Sequence, residues 1–320
     1  MEDIARLAGV SKITVSRALR DSTLVTPETR EKIRLIAEEQ GYRMNLSARN
    51  LRMRRSHTVA VVVEMTPAQD RPMSGSYPLE LLGGITQELT TAGYSVVLTA
   101  KQLLHTAPVQ AADGLILLGQ GSHGEASRTL KSSKLPLVVW GAPVIDTDCI
   151  VVGSDNRKGG ASVAQRFIEQ KRRQFLFLGD RNHAEVDERY LGFCAKLGSL
   201  SHQIEVITPK AFTFESGFDA ISAAIAAGNR HFDALFAASD LLAMGAIRAL
   251  TQNGIRVPEQ VSVVGYDDTP EASSFVPPLT SVHQYLRKGG VLLAQKMLGL
   301  LSGEAVQSEV LETTLVVRGT

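Results

Sequence analysis

Five side chains near the start of the chain have the types and spacing that read nucleobases. Lys12, Ile13, Thr14, Ser16 and Arg17 follow Ser11, a residue type that caps helices, in a segment that reads as a helix to about Arg20. At 100° per residue, Val15, Ala18 and Leu19 share one arc of that helix. Ile13, Thr14, Ser16 and Arg17 share the opposite arc, with Lys12 at its N-terminal edge. An Arg fork fits guanine O6 and N7, an Ile tip fits a thymine methyl, and Thr and Ser hydroxyls fit phosphate oxygens. One exposed Ile is ordinary on a soluble helix. Beside Lys, Thr, Ser and Arg it suits a helix lying in the major groove.

A second set of polar residues follows apolar, strand-like runs directly: Gly153-Ser154-Asp155-Asn156, Ser239-Asp240, Gly265-Tyr266-Asp267-Asp268 and His283-Gln284. Glu188-Arg189-Tyr190 opens a helical stretch. Carboxylates accept paired hydrogen bonds from vicinal hydroxyls, and Arg forks onto hydroxyl or carboxylate oxygens. Asp and Arg on facing strand ends therefore make a polyol clamp, with Trp140 or Phe212 to cover a sugar's apolar face. Asp155 and Asp268 read instead as helix-capping or turn residues, and His283 as a structural strand-end histidine.

The elements that must position the first set are short. Ile4, Leu7 and Ala8 give a first helix with one apolar stripe, broken by Gly9-Val10. A third helix starts with Thr26 as N-cap and Pro27 and Glu28 in its first turn; it buries Ile33, Ile36 and Ala37 and stops at Gly41. Two helices joined by a short turn containing Gly form a helix-turn-helix. Residues 1–57 hold 12 Lys/Arg against 7 Asp/Glu, and the rest hold 22 against 26, so the net charge of +1 hides a basic head on an acidic body. That is the electrostatic footprint of a nucleic-acid partner, or else a solvated basic face.

From residue 58 onward, strand and helix patterns alternate. Strands are expected at 59–63, 95–99, 114–118, 137–140 and 150–152, then at 174–178, 204–207, 234–237, 262–265 and 281–283. Helices fall between most of them, for example at 81–92, 160–170 and 241–253. The fold class is therefore α/β: an all-α head, then a two-lobed core of doubly wound parallel sheets with a ligand cleft between the lobes.

Other chemistries fit less well. Gly119-Gln120-Gly121-Ser122-His123-Gly124 matches GxGxxG after a strand, but the next strand ends at Trp140-Gly141 without the acidic residue a dinucleotide site needs. A loop at the cleft mouth is the better reading. There is no phosphate-binding GxxxxGK[ST] and no nucleophile elbow, and the seven histidines have no metal spacing. No cofactor, metal or enzyme activity is expected. Cys149 and Cys194 lie far apart, which suits a reducing cytosol. No apolar run is long enough to span a membrane, and Met1-Glu2-Asp3 is unlike a secretory signal.

Asp3-Ile4-Ala5-Arg6-Leu7-Ala8-Gly9-Val10-Ser11, Thr14-Val15-Ser16-Arg17, Thr26 to Arg30 and Gly41-Tyr42 resemble the headpiece of the LacI/GalR family of bacterial transcription regulators. The resemblance implies a recognition helix at about 12–20 and a homodimer reading a palindromic operator in double-stranded DNA. It also implies that Asn45-Leu46-Ser47-Ala48-Arg49-Asn50-Leu51 belongs to a hinge helix, about 45–52. That segment is too short to be helical alone and would fold in the minor groove with Leu51 as a wedge, Asn45, Ala48 and Arg49 beside it, and Arg52, Arg54 and Arg55 near phosphates. The family's core resembles periplasmic sugar-binding proteins. The positions matching Arg189, Asp240, Asp267, Asn156 and Gln284 contact its effector.

On this reading, residues 1–57 are the DNA-binding headpiece and 58–320 the effector-binding and dimerisation core. Lobe 1 comprises about 58–155 and 286–312, and lobe 2 about 156–284 and 313–320. Crossovers are expected near Asp155, near His283 and in a last strand at about 311–317. Three departures from the family stand out. No Ser or Thr precedes the first helix, the helix before Asp113 is abbreviated, and no heptad tail follows Arg318. The expected function is that of a cytoplasmic repressor of carbohydrate genes controlled by a sugar-like effector. The alternatives are an NAD(P)-dependent oxidoreductase using residues 119–124, and a sugar-binding protein with no DNA role.

Overall fold

The computed structural model describes residues 1–19, 21–42, 55–64, 73–103, 106–120, 134–142, 149–228 and 231–320, without the side chains of Lys101 and Gln203. Asn45, Ala48, Arg49, Leu51 and Arg54, the hinge helix they were assigned to, and residues 121–124 of the glycine-rich loop lie outside the described residues. The chain forms two compact units, Met1–Ser56 and His57–Thr320.

In the first unit, α1 (Glu2–Ala8), α2 (Lys12–Ala18) and α3 (Pro27–Glu39) enclose a small core of Ile4, Ala5, Ala8, Val15, Ala18, Val25, Ile33 and Ala37. Ser11 caps α2 by accepting the N–H of Thr14, and Thr26 caps α3 by accepting that of Thr29. Gly9 and Gly41 take left-handed conformations at the helix ends. α1 starts at Met1 with no side-chain cap. Leu7 corrects the sequence reading: it is 52% exposed, and the buried stripe of α1 runs through Ile4, Ala5 and Ala8 instead.

The second unit is built on two six-stranded sheets. In chain order its elements begin β1 (Thr58–Val63), α4 (Ser76–Thr91), β2 (Ser95–Ala100), α5 (Ala107–Gln110), β3 (Gly114–Leu118), β4 (Leu137–Trp140) and β5 (Ile150–Ser154). Then come α6 (Asn156–Glu169), β6 (Phe175–Leu178), α7 (Ala184–Leu197), β7 (Ile204–Ile207), α8 (Phe214–Ala226), β8 (Ala234–Ala237) and α9 (Asp240–Gln252). The last are β9 (Ser262–Asp267), α10 (Pro270–Ser274), β10 (Thr280–His283), α11 (Leu286–Ser302), β11 (Glu309–Leu311) and β12 (Thr314–Val316). α5 is a single turn, the abbreviated helix that the short spacing before Asp113 requires.

The first sheet has the order β11-β5-β4-β3-β1-β2 and is wholly parallel. The second has the order β12-β10-β9-β8-β6-β7 and is parallel except for β12, which runs antiparallel to β10. Inner strands such as β3 and β8 are buried along their whole length, so their sequences are continuous apolar runs. In the first sheet, α4 and α11 cover one face with Leu81, Ile85, Leu293 and Met297, and Val109 and Ala112 lie on the other. In the second, α8 and α9 cover one face with Ile221, Leu242 and Ile247, and α6 and α7 the other with Phe167 and Phe193. The single strand expected at about 311–317 is in fact two: β11 joins the first sheet and β12 the second. The lobes thus connect at three places, after β5, after β10 and between β11 and β12.

Candidate nucleic-acid interface and ligand cleft

α2 presents the reading surface because its other side is sealed. Val15 and Ala18 are fully buried against α1 and α3, which turns Ile13 outward, 63% exposed. Lys12 and Arg17 are exposed beside it and Thr14 and Ser16 half-buried. Ser11 Oγ lies 2.9 Å from Thr14 Oγ1, and Lys12 pairs with the carboxylate of Glu2. The turn after α2 is locked to α3 by the Arg30 guanidinium, which donates to the carbonyls of Ser22 and Val25 at 3.1 Å each. That turn also carries Leu24, 73% exposed. Sequence reasoning missed it, since a lone Leu in a turn belongs to no periodic stripe.

In the second unit, α6 and α7 meet at two glycines. A Cβ on Gly160 would lie 1.9 Å from Arg189 O, and one on Gly192 2.0 Å from Arg157 O. That contact brings Arg189 of α7 to Asn156 at the start of α6. Arg189 Nε donates to Asn156 Oδ1 at 2.9 Å and Nη1 to Ala238 O at 2.6 Å, and the guanidinium lies 3.7 Å over the Tyr266 ring. Asn156 Nδ2 donates to Ser154 O at 3.1 Å. The Ser154 hydroxyl donates to Gln284 Oε1 at 2.9 Å, and Gln284 Nε2 donates to Asp267 Oδ1.

Arg189, Asn156, Gln284 and Asp267 thus join one buried chain of hydrogen bonds across the carboxyl ends of β5, β8 and β9 and the start of the β10–α11 connection. Asp267 holds a φ of 114°, a conformation that side-chain-bearing residues adopt only under constraint. A cavity of about 610 Å³ reaches this network at Asp267; Glu80, Leu286 and Lys288 of lobe 1 and Asp268 and Thr269 of lobe 2 also line it. Its size suits a small ligand. Ser154 and Tyr266 complete the network; in the sequence they stand out only as neighbours of the polar residues beside them.

Three further residues assigned to the ligand lie outside this hydrogen-bonded chain. Asp240 is fully buried and hydrogen-bonds to Thr269 and Ser281 rather than to members of the network. Its Oδ2 accepts from the N–H of Thr269 at 2.7 Å and the hydroxyl at 3.1 Å, and its Oδ1 accepts from Ser281. Its carboxylate thus ties the start of α9 to Thr269 and Ser281 within lobe 2. Burial, with the charge of Asp267 second, pushes its carboxyl up to about 8. Trp140 is 2% exposed, with its indole N–H donated to Tyr77 Oη at 2.8 Å and its ring packed over Gly289. It is a core residue of lobe 1. Phe212 stands half-buried and edge-on to His183 at 5.3 Å between centroids, outside the hydrogen-bonded chain.

Asp155 caps α6 by accepting the N–H of Lys158 at 2.9 Å. Asp268 sits in a left-handed turn with Oδ2 3.0 Å from His283 Nδ1 and Oδ1 2.7 Å from Arg318 Nη2. Burial raises its carboxyl, but His283 and Arg318 outweigh that and hold it below the usual carboxylate range. Asp268 and His283 also line the cavity. Among the described residues no cluster suits a metal ion, and no helix is long and apolar enough to cross a membrane.

The family described as bacterial regulatory proteins, lacI family, matches residues 1–45, and a periplasmic binding protein-like domain matches residues 164–320. The HTH-type transcriptional regulator CelR of Thermobifida fusca is 32% identical over 332 residues, covering 99% of this chain and 97% of its own. The ribose operon repressor of Haemophilus influenzae is 30% identical over 333 residues, covering 99% and 97%. Among solved structures, the Lac repressor dimer bound to operator and the anti-inducer ONPF aligns with a TM-score of 0.86 at 26% identity, covering 99% of this chain and 97% of that one. A CelR–cellobiose complex aligns with a TM-score of 0.71 at 31% identity, covering 99% and 98%.

Proposed function

From the premise that this chain belongs to the lacI family of bacterial regulatory proteins, we propose how it reads DNA and what it senses. It is a DNA-binding transcription regulator, and α2 is its recognition helix. Lys12, Ile13 and Arg17 meet base edges, while Ser11, Thr14 and Ser16 meet phosphates. The observation that carries this reading is Ile13, held in water between two cations by a sealed floor of Val15 and Ala18. Residues 45–52 form the hinge helix, with Asn45, Ala48, Arg49, Leu51 and Arg54 against the minor groove and its phosphates. The protein acts as a homodimer on a palindromic operator and represses transcription in the cytoplasm, without enzymatic activity.

The core binds a carbohydrate through Arg189, Asn156, Asp267 and Gln284. Because the cavity at Asp267 is lined by both lobes, with Glu80, Leu286 and Lys288 on one side and Asp268 and Thr269 on the other, a ligand favours one lobe arrangement over another. Operator affinity changes by that difference in binding free energy. The CelR–cellobiose complex supports a sugar as the class of effector. Nucleotide chemistry through residues 119–124 and a sugar-binding role without DNA are both disfavoured by the headpiece.

Selection from a randomised duplex library at low salt tests this. A palindromic site should emerge, with affinity falling steeply as salt rises. Recovery of unrelated sequences with one common affinity would remove the recognition-helix assignment.

A further inference from the structure

Just past the carboxyl end of β3, the edge at which sheets of this kind bind ligands, lies a buried donor with no partner among the described residues. Gln120 follows β3 by two residues, past Gly119, whose φ of 83° turns the chain out of the strand. The Gln120 side chain is 1% exposed. Its Oε1 accepts the N–H of Ala142 at 3.0 Å, and since only the oxygen of an amide accepts, this fixes which end is which. Nε2 is buried and finds no acceptor among the described residues. An amide NH2 stripped of water and left unpaired is costly, and native folds retain few of them.

The seat of that side chain is built into the sheet. A Cβ on Gly141, the residue after β4, would lie 2.5 Å from both Cδ and Oε1 of Gln120. A Cβ on Gly153 of β5 would lie 1.9 Å from Gly141 O. The ends of β3, β4 and β5 therefore form a side-chain-free shelf with Gln120 lying on it. The shelf ends at Ser154, where the chain of hydrogen bonds to Gln284 and Asp267 begins.

We propose that Gln120 is the specificity residue of lobe 1, with Nε2 donating to a hydroxyl or ring oxygen of the bound carbohydrate. This deepens the effector reading above and rests on it. Lobe 2 offers the ligand the acceptor Asp267 and the donor Arg189, and lobe 1 adds a neutral, oriented donor. A ligand that satisfies both walls must present oxygens that donate on one side and accept on the other, as a polyol does. An apolar or purely cationic ligand leaves Nε2 unpaired.

The test is calorimetric titration of the full-length protein with cellobiose, glucose, ribose and gluconate. The tightest binder then serves as the probe. Gln120→Glu keeps the size of the side chain and an acceptor for Ala142, and replaces the donor with a second acceptor. Its Kd for the probe should rise about tenfold or more. A Kd within twofold of wild type overturns the proposal and leaves the effector reading intact. A merely structural role would lower the melting temperature without sugar and leave the Kd unchanged. If Gln120→Glu does not fold, Gln120→Met is judged by the same comparison. If none of the four sugars binds the wild-type protein, the carbohydrate reading fails and this proposal with it.

Discussion

The guanidinium of Arg189 lies over the ring of Tyr266 at 3.7 Å, while its Nε and Nη1 are spent on Asn156 and the carbonyl of Ala238. The stack and the planar fork together fix its orientation before any ligand arrives. Lysine offers a point charge and no plane. Arg189→Lys should therefore weaken binding of the responsive sugar by about 2 kcal/mol or more, since a hydrogen-bonded buried charge is involved. Titration calorimetry gives this directly, and wild-type affinity in the variant would place Arg189 outside the ligand site.

The two faces of α2 should answer differently to substitution. Ile13→Ser should change folding stability by no more than about 0.5 kcal/mol, as exposed positions do. Val15→Ala should cost about 2 kcal/mol, because Val15 is fully buried. Arg17→Ala should lose about 1–3 kcal/mol on the operator and relax preference at one base step. Arg54→Ala should weaken all sequences alike and lower the salt slope by about one. Chemical denaturation and competition binding with singly substituted operators separate these outcomes. Equal losses on operator and random DNA for Arg17→Ala would contradict its assigned role.

Asp240 predicts a pH dependence of stability. Its carboxyl is raised in the folded protein to about 8 from 3.8. Between those values the folded state binds the extra proton, so stability from this group falls as pH rises from about 4 to about 8. Asp240→Asn keeps an acceptor for Thr269, turns the acceptor that faces Ser281 into a donor to its hydroxyl oxygen, and does not titrate. Melting temperatures at pH 5 and pH 8 should differ less in the variant than in the wild type. An unchanged difference would mean that Asp240 is ionised across the whole range.

The glycine contact between α6 and α7 sets the position of Arg189. Gly192→Ala would place a Cβ 2.0 Å from the backbone oxygen of Arg157, so the helices must part. Overpacking of this kind should cost about 1–3 kcal/mol in denaturant unfolding. Sugar affinity should fall as well, because Arg189 moves with α7. A destabilised variant with unchanged affinity would show that the helix spacing does not govern the site.

The sheets were legible because strands buried on both faces must be apolar throughout, as in 114–118 and 234–237. The outward turn of Ile13 was legible for the converse reason, since a helical period leaves only one arc for Val15 and Ala18. Seven residues are too few to fix the phase of α1, so Leu7 was assigned to a stripe that in fact passes through Ala5. The fate of Asp240 is decided by Thr269 and Ser281, and that of Trp140 by Tyr77, all remote in sequence. A carboxylate after a strand looks the same in sequence whether it faces a ligand or a neighbouring strand. Gln120 was hidden differently: its neighbours made it part of a glycine pattern, and only the N–H of Ala142, donated to its Oε1, gives its amide a direction.

The split of the final strand into β11 and β12, one bonded to each sheet, has a mechanical outcome. Two bodies sewn together by three threads, as a book's covers are by its spine, can rock about the seam but cannot slide past one another.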